Sequence, residues 1–203
     1  MTARVDELWV GIEVWLRTRA PGTFATLNPP AGDDVLADLA SRLGLTLPDE
    51  LIASMRRHDG ADNSRVGPGF SFPGNFHLLD AAGIAAHAAV GATLLSRDAS
   101  DRGWYWHEAW IPFAADFSGD YLVYDTRADR PYGTVFYRHL DQGPFGGTWD
   151  SLRSLLKDTL DALAQKPATL GGRLPADFPH RSGWATSRAT VEADQLVWLD
   201  TRD

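Results

Sequence analysis

Cysteine is absent from all 203 residues, which excludes disulfides, thiolate metal sites and a cysteine nucleophile. Lysine is nearly absent: Lys157 and Lys166 are the two lysines among nineteen cations, a bias that reads as genomic composition rather than function. No apolar run approaches the roughly 20 residues that cross a bilayer, so no membrane association is expected. Arg4, Asp6 and Glu7 interrupt any apolar stretch at the start, so no secretory signal is expected, and the expected compartment is the cytoplasm. Clustered cations are also missing. The formal net charge is −8 and the pI about 5.1, which argues against nucleic acid as a partner, because a phosphate backbone needs a basic surface. An acidic surface favours a basic partner, although it also serves solubility. The glycine-rich stretch from Gln142 to Gly147 reads as a loop; it has no lysine and no Gly-Lys-Ser/Thr ending, so it offers no phosphate site.

What the chain does have is concentrated between Trp104 and Asp125. This stretch holds three of the eight tryptophans, Trp104, Trp106 and Trp110, followed by two apolar runs separated by Ser118-Gly119. Aromatic and β-branched runs around a Ser-Gly pair predict a hairpin, because glycine supplies the positive φ of a tight turn. A two-residue turn would set Phe117 against Asp120, Ala115 against Leu122 and Phe113 against Tyr124. Asp116, Ala114, Tyr121 and Val123 would then share the other face. Both faces are largely apolar, as in a central hairpin covered on two sides. Asp116 and Asp120 have two readings, as acceptors that hold the turn or as carboxylates offered to a ligand.

Val5, Leu8, Ile12, Trp15, Leu16 and Arg19 recur at helical spacing and predict an amphipathic helix from Thr2 to about Arg19, ended by Ala20-Pro21-Gly22. Asn28-Pro29-Pro30 forces an extended segment. Asp33 is expected to cap a second helix with Gly44 as its stop, and Thr46 to Asp49 to start a third that closes at His58-Asp59-Gly60. A polar loop runs from Ala61 to Gly69. Phe70, Phe72, Phe76 and Leu78 alternate around Pro73-Gly74 as short strands. An alanine-rich helix is expected from Asp80 to about Ser96, a third strand of the sheet at Gly133 to Tyr137, and a final helix capped by Thr148 or Asp150 and ended by Lys166-Pro167. Beyond Ala168 glycine, proline and polar residues dominate, with Gln195 to Leu199 able to add an edge strand and Trp184 a second anchor.

Taken in order, several residues carry a family resemblance. They are Trp15-Leu16, Pro29-Pro30-Ala31, Leu43-Gly44, Leu47-Pro48, His58-Asp59-Gly60, Trp110 to Ala114, Asp116, Gly119-Asp120, Leu122, Asp125, and Gly133 with Val135. In this order the chain resembles the SUKH superfamily, named in part for a fungal cell-wall assembly regulator, from about Leu8 to Ala164. The resemblance implies an α+β fold with helices packed on a mostly antiparallel sheet. It places a SUKH-like domain at 1–166 and a C-terminal extension at 167–203, which has room to pack on the same domain. It also implies protein binding rather than catalysis, since many bacterial members are immunity proteins that neutralise toxins passed between competing cells.

Three functions follow. The first is a non-catalytic immunity protein that binds a toxin domain with a basic surface, with Trp104, Trp106, Trp110, Asp116, Asp120 and Asp59 as candidate contacts and no cofactor. Large aromatics beside a strand are, however, more often core than interface. The second is a metal-dependent hydrolase using His107, Asp116 and Asp120, with Glu108 nearby, although no spacing matches an H-E-x-x-H or EF-hand cage. The third is a regulatory scaffold of the cell-wall assembly regulator type, which needs the same kind of selective surface.

Overall fold

The computed structural model describes residues 4–63, 69–95, 105–128, 132–139, 143–165 and 187–200. Trp104 and Trp184, both singled out above, lie outside these residues, as do the centre of the Ala61 to Gly69 loop and the Lys166-Pro167 helix end.

Four helices open the chain: α1 (Val5–Arg19), α2 (Pro21–Phe24), α3 (Asp33–Leu43) and α4 (Asp49–Met55). Helix α1 buries Val5, Leu8, Trp9, Ile12, Glu13 and Leu16. The expected apolar stripe is therefore rotated: Trp9 is fully buried and Trp15 only half-buried. Pro21 ends α1 and opens the single turn of α2, since a proline needs no N–H at the first helical position. Helix α3 stops at Gly44, whose φ of 64° is the left-handed conformation expected there. Its N-cap is Gly32, however, with Asp33 in the first turn. Helix α4 ends at Met55, ahead of the expected His58-Asp59-Gly60 closure.

The sheet is antiparallel with its strands in chain order: β1 (Ser71–Phe72), β2 (Phe76–Leu78), β3 (Trp110–Ala115), β4 (Tyr121–Asp125), β5 (Val135–His139) and β6 (Gly143–Trp149). Between β2 and β3 runs α5 (Ala81–Leu95), and after β6 comes α6 (Leu152–Leu163). The fold is α+β, with helices packed on an antiparallel sheet. The expected glycine-rich loop is instead β6, an end strand, the position in a sheet that tolerates Pro144 and three glycines. The cap of α6 is Ser151, which accepts the Ser154 amide, rather than Thr148 or Asp150.

The central hairpin forms, with a corrected register. Pro112 pairs with Val123 but Ala114 pairs with Leu122, so Phe113 is a bulge, an extra residue with no partner of its own. Ala115 consequently faces Tyr121, and Asp116 bonds Asp120 through its backbone N–H. The loop is then the three residues Phe117, Ser118 and Gly119, closed by a glycine at φ 94°. Ala114 and Ala115 exchange the faces expected of them. The apolar alternation resolves into two clusters on opposite faces. Ile111, Phe113, Ala114, Leu122, Tyr124, Val135 and Tyr137 join the main core with α1, α3, α4 and α6. Trp110, Ala115, Tyr121, Val123 and Phe136 form the second with Trp106, beneath α5.

The last elements, β7 (Ser187–Glu192) and β8 (Gln195–Asp200), pair with each other in a separate two-stranded sheet. Gln195 to Leu199 is thus a strand, but not an edge of the main sheet. Ala189, Leu196 and Trp198 of this hairpin enter the main core. Gly22 donates to the Asp194 carbonyl, Leu196 donates to the Thr23 hydroxyl, and Trp198 Nε1 donates to the Ser71 carbonyl at 3.0 Å.

Candidate functional site

The turn between β3 and β4 is held by one carboxylate. Asp116 accepts from the Ser118 amide at 2.9 Å, the Ser118 hydroxyl at 2.6 Å and the Asp120 amide at 2.9 Å. Short loops whose amides are tied to an Asp side chain are pre-formed, and this one holds out Phe117, which is 86% exposed. No other large apolar side chain among the described residues is as exposed. Its ring rests 4.6 Å, centroid to centroid, from the buried imidazole of His77, whose pKa burial pushes down. The sequence reading missed Phe117 as a surface feature because a two-residue turn would have put it in the strand. The available signal was a carboxylate three residues before a glycine, which suits a longer, Asp-capped loop.

Asp120 faces the other way. It is 5% exposed, accepts the Tyr137 hydroxyl, and lies 3.9 Å from His139 Nε2. Burial, reinforced by the Asp120 carboxylate, drives the Tyr137 phenol well above its ordinary pKa, so it stays a donor. A buried carboxylate already engaged in this way offers little surface to a partner. Asp59 is half-buried and accepts the Ala81 amide at the start of α5. Burial pushes its pKa up against that hydrogen bond.

Trp106 and Trp110 are 2% and 1% exposed, so of the two readings left open for them the structure places both in the core. They meet edge to face at 6.0 Å, with Arg127 over the Trp110 ring and Arg138 over that of Trp106. The physical reason is α5: Gly91 lies so close to the Trp106 indole that a β-carbon there would stand 2.2 Å from the ring. The hydrolase constellation does not assemble either. His107 Nδ1 accepts the Ala109 amide and lies 3.8 Å from Glu108. Among the described residues, which include His107, Asp116 and Asp120, no three acidic or imidazole side chains come close enough to hold a metal ion.

A buried charge network that sequence reading missed ties α1 to the end of α4. Glu13, 1% exposed, receives Arg57 through Nε and through Nη2 at 2.8 Å, and Arg17 at 2.6 Å. His58 Nε2 lies 3.0 Å from Glu13 while its Nδ1 donates to the Asn28 carbonyl. Burial alone would raise the Glu13 pKa; the hydrogen bonds from Arg57 and His58 and their charge overcome that and hold it at about 2. His58 beside Asp59 is therefore part of a structural tie.

The model of the SMI1/KNR4 family (SUKH-1) matches residues 30–158. The chain is a member of this SUKH family. The match covers α3 through most of α6, including the hairpin and its tip, and is shorter than the span from Leu8 to Ala164 expected from the sequence. Helix α1, helix α2 and the β7–β8 hairpin lie outside it. No curated protein matches this SUKH chain. The family includes immunity proteins, and its members bind protein partners. No helix among the described residues is long and apolar enough to cross a membrane.

Proposed function

We propose that this SUKH protein is a non-catalytic binding module of the immunity type, which works in the cytoplasm and neutralises a toxin exchanged between competing cells. One observation carries the reading: at the tip of the central hairpin, inside the family match, Phe117 stands 86% exposed on a loop that Asp116 has already fixed. Burying such a ring in a partner yields about 2 to 3 kcal/mol. Because the loop is tied down beforehand, little of that gain is lost to ordering it. The half-buried Asp116 carboxylate beside it and the net charge of −8 favour a partner with a basic surface. The buried Trp106, Trp110 and Asp120 support the arm that presents this tip.

The test is to co-express the chain with the toxin domain of a secreted protein encoded beside it. Co-elution on size exclusion and rescue of growth are then measured for wild type and for Phe117→Ala. The expected result is protection by wild type and binding weakened about tenfold or more in the variant. Equal binding and equal protection by the variant would remove the tip from the interface. A neighbour that binds without being toxic would favour the regulatory scaffold instead.

A further inference from the structure

A second surface lies on the part of the chain that the family match leaves out. A groove of about 650 Å³ runs between the end of α1, the end of α6 and β7. Every residue lining it, from Trp15 and Arg19 through Gln165 to Arg188, Thr190 and Val191, falls outside 30–158. The surface therefore lies wholly outside the matched part of the chain.

Its charge is what sets it apart. Among the described residues, nine arginines and lysines have partners. Arg4, Arg17, Arg42, Arg56, Arg57, Arg127, Arg153 and Lys157 face carboxylates, and Arg138 donates to the Tyr105 carbonyl. Two described cations have none, Arg19 and Arg188, and both line this groove. Both are exposed. In a chain of net charge −8, two unneutralised guanidiniums on one groove create a local field opposite in sign to the global one.

The shape indicates an extended occupant. Arg188, Ala189, Thr190 and Val191 are consecutive on β7 and all border the groove. Successive strand side chains point to opposite faces, so four in a row can share a groove only if it follows the strand's edge. Among the described residues β7 has β8 as its one strand partner, which leaves the outer edge of β7 able to take an added strand. Trp15, half-buried, supplies an apolar wall, and Val191 is 38% exposed beside it.

We propose that this groove docks an extended acidic segment of a partner protein, which adds along the edge of β7 and sets its carboxylates against Arg19 and Arg188. The site is separate from the hairpin tip and opposite to it in charge preference, so one can fail without the other.

The experiment uses the full chain and a fluorescein-labelled peptide of alternating glutamate and valine. Its companions are the same peptide with lysine for glutamate and the same peptide with alternate amides N-methylated. Anisotropy at low and at high salt reads binding, and backbone amide NMR shifts report where it occurs. Wild type is expected to bind the acidic peptide, less tightly in high salt, with shifts concentrated on β7, and to bind neither companion. Arg19→Glu with Arg188→Glu is expected to weaken binding at least about tenfold with the melting temperature unchanged, since neither arginine holds the fold. The proposal is overturned if wild type does not bind the acidic peptide, if the double variant binds it as well, or if the N-methylated peptide binds equally.

Discussion

Glu13 sits at 1% exposure with Arg17, Arg57 and His58 around it, and its carboxylate makes α1 sensitive to acid. Its pKa is held at about 2 against an ordinary value of 4.5. A depressed folded pKa contributes stability that is fully present above the unfolded value and is lost as pH falls through the folded one. Wild type is therefore expected to lose melting temperature between pH 4.5 and about 2, and Glu13→Gln to lose this part of the pH dependence. At neutral pH the same variant is expected to cost about 3 kcal/mol in urea unfolding, because it leaves Arg57 facing a neutral amide. Tyr137→Phe is a smaller change: Asp120 loses a buried donor, at a cost of about 1 to 3 kcal/mol by the same measurement. A local signal existed, since Glu13 and Arg17 stand four apart on one helix, but the sequence reading did not use it. It could not show that Arg57 and His58, more than forty residues on, close over the same carboxylate. The residues offered as contacts suffered from the same blindness. An aspartate in a turn and a tryptophan before a strand are informative about where the chain bends, but burial depends on what later packs over them.

The hairpin of β3 and β4 was legible as an element because its apolar runs and its glycine are local features. Its register was not. A bulge at Phe113 costs one residue of pairing, and pairing has a period of two, so a single unpaired residue moved Ala114 and Ala115 to opposite faces. The strand at β6 was missed for a related reason: glycine and proline read as loop unless the neighbouring strand is known to pair with them. Helix α5 shows how an element answers to its neighbour. Alanine ordinarily favours a helix over glycine by about 1 kcal/mol, yet at Gly91 the added carbon would stand 2.2 Å from the Trp106 ring. Gly91→Ala is accordingly expected to destabilise by about 1 to 3 kcal/mol, seen as a lower melting temperature and altered near-ultraviolet circular dichroism from the displaced indole. A variant as stable as wild type would mean that α5 does not bear on Trp106 in this way.

For the whole molecule, the helices on an antiparallel sheet were foreseeable from the order of motifs that the resemblance rests on, and the structure bears that out. The place of β7 and β8 was not, because their partners lie at the other end of the chain. Trp198 is 5% exposed, and its indole N–H reaches the Ser71 carbonyl across more than a hundred residues. Trp198→Ala is expected to cost about 3 to 5 kcal/mol, in one cooperative transition with the rest of the domain; a second, separate transition would show that the C-terminal hairpin melts on its own. The sheet itself has its six strands in the order in which they are made. A chain emerging from the ribosome can therefore zip each new strand onto the last. The clasp between α2 and β8 obeys a different clock: Thr23 must wait for Leu196, 173 residues later. Until then α2 lacks its tie to β8, and an unfinished chain displays to the cell's quality control the apolar surface that the finished one conceals.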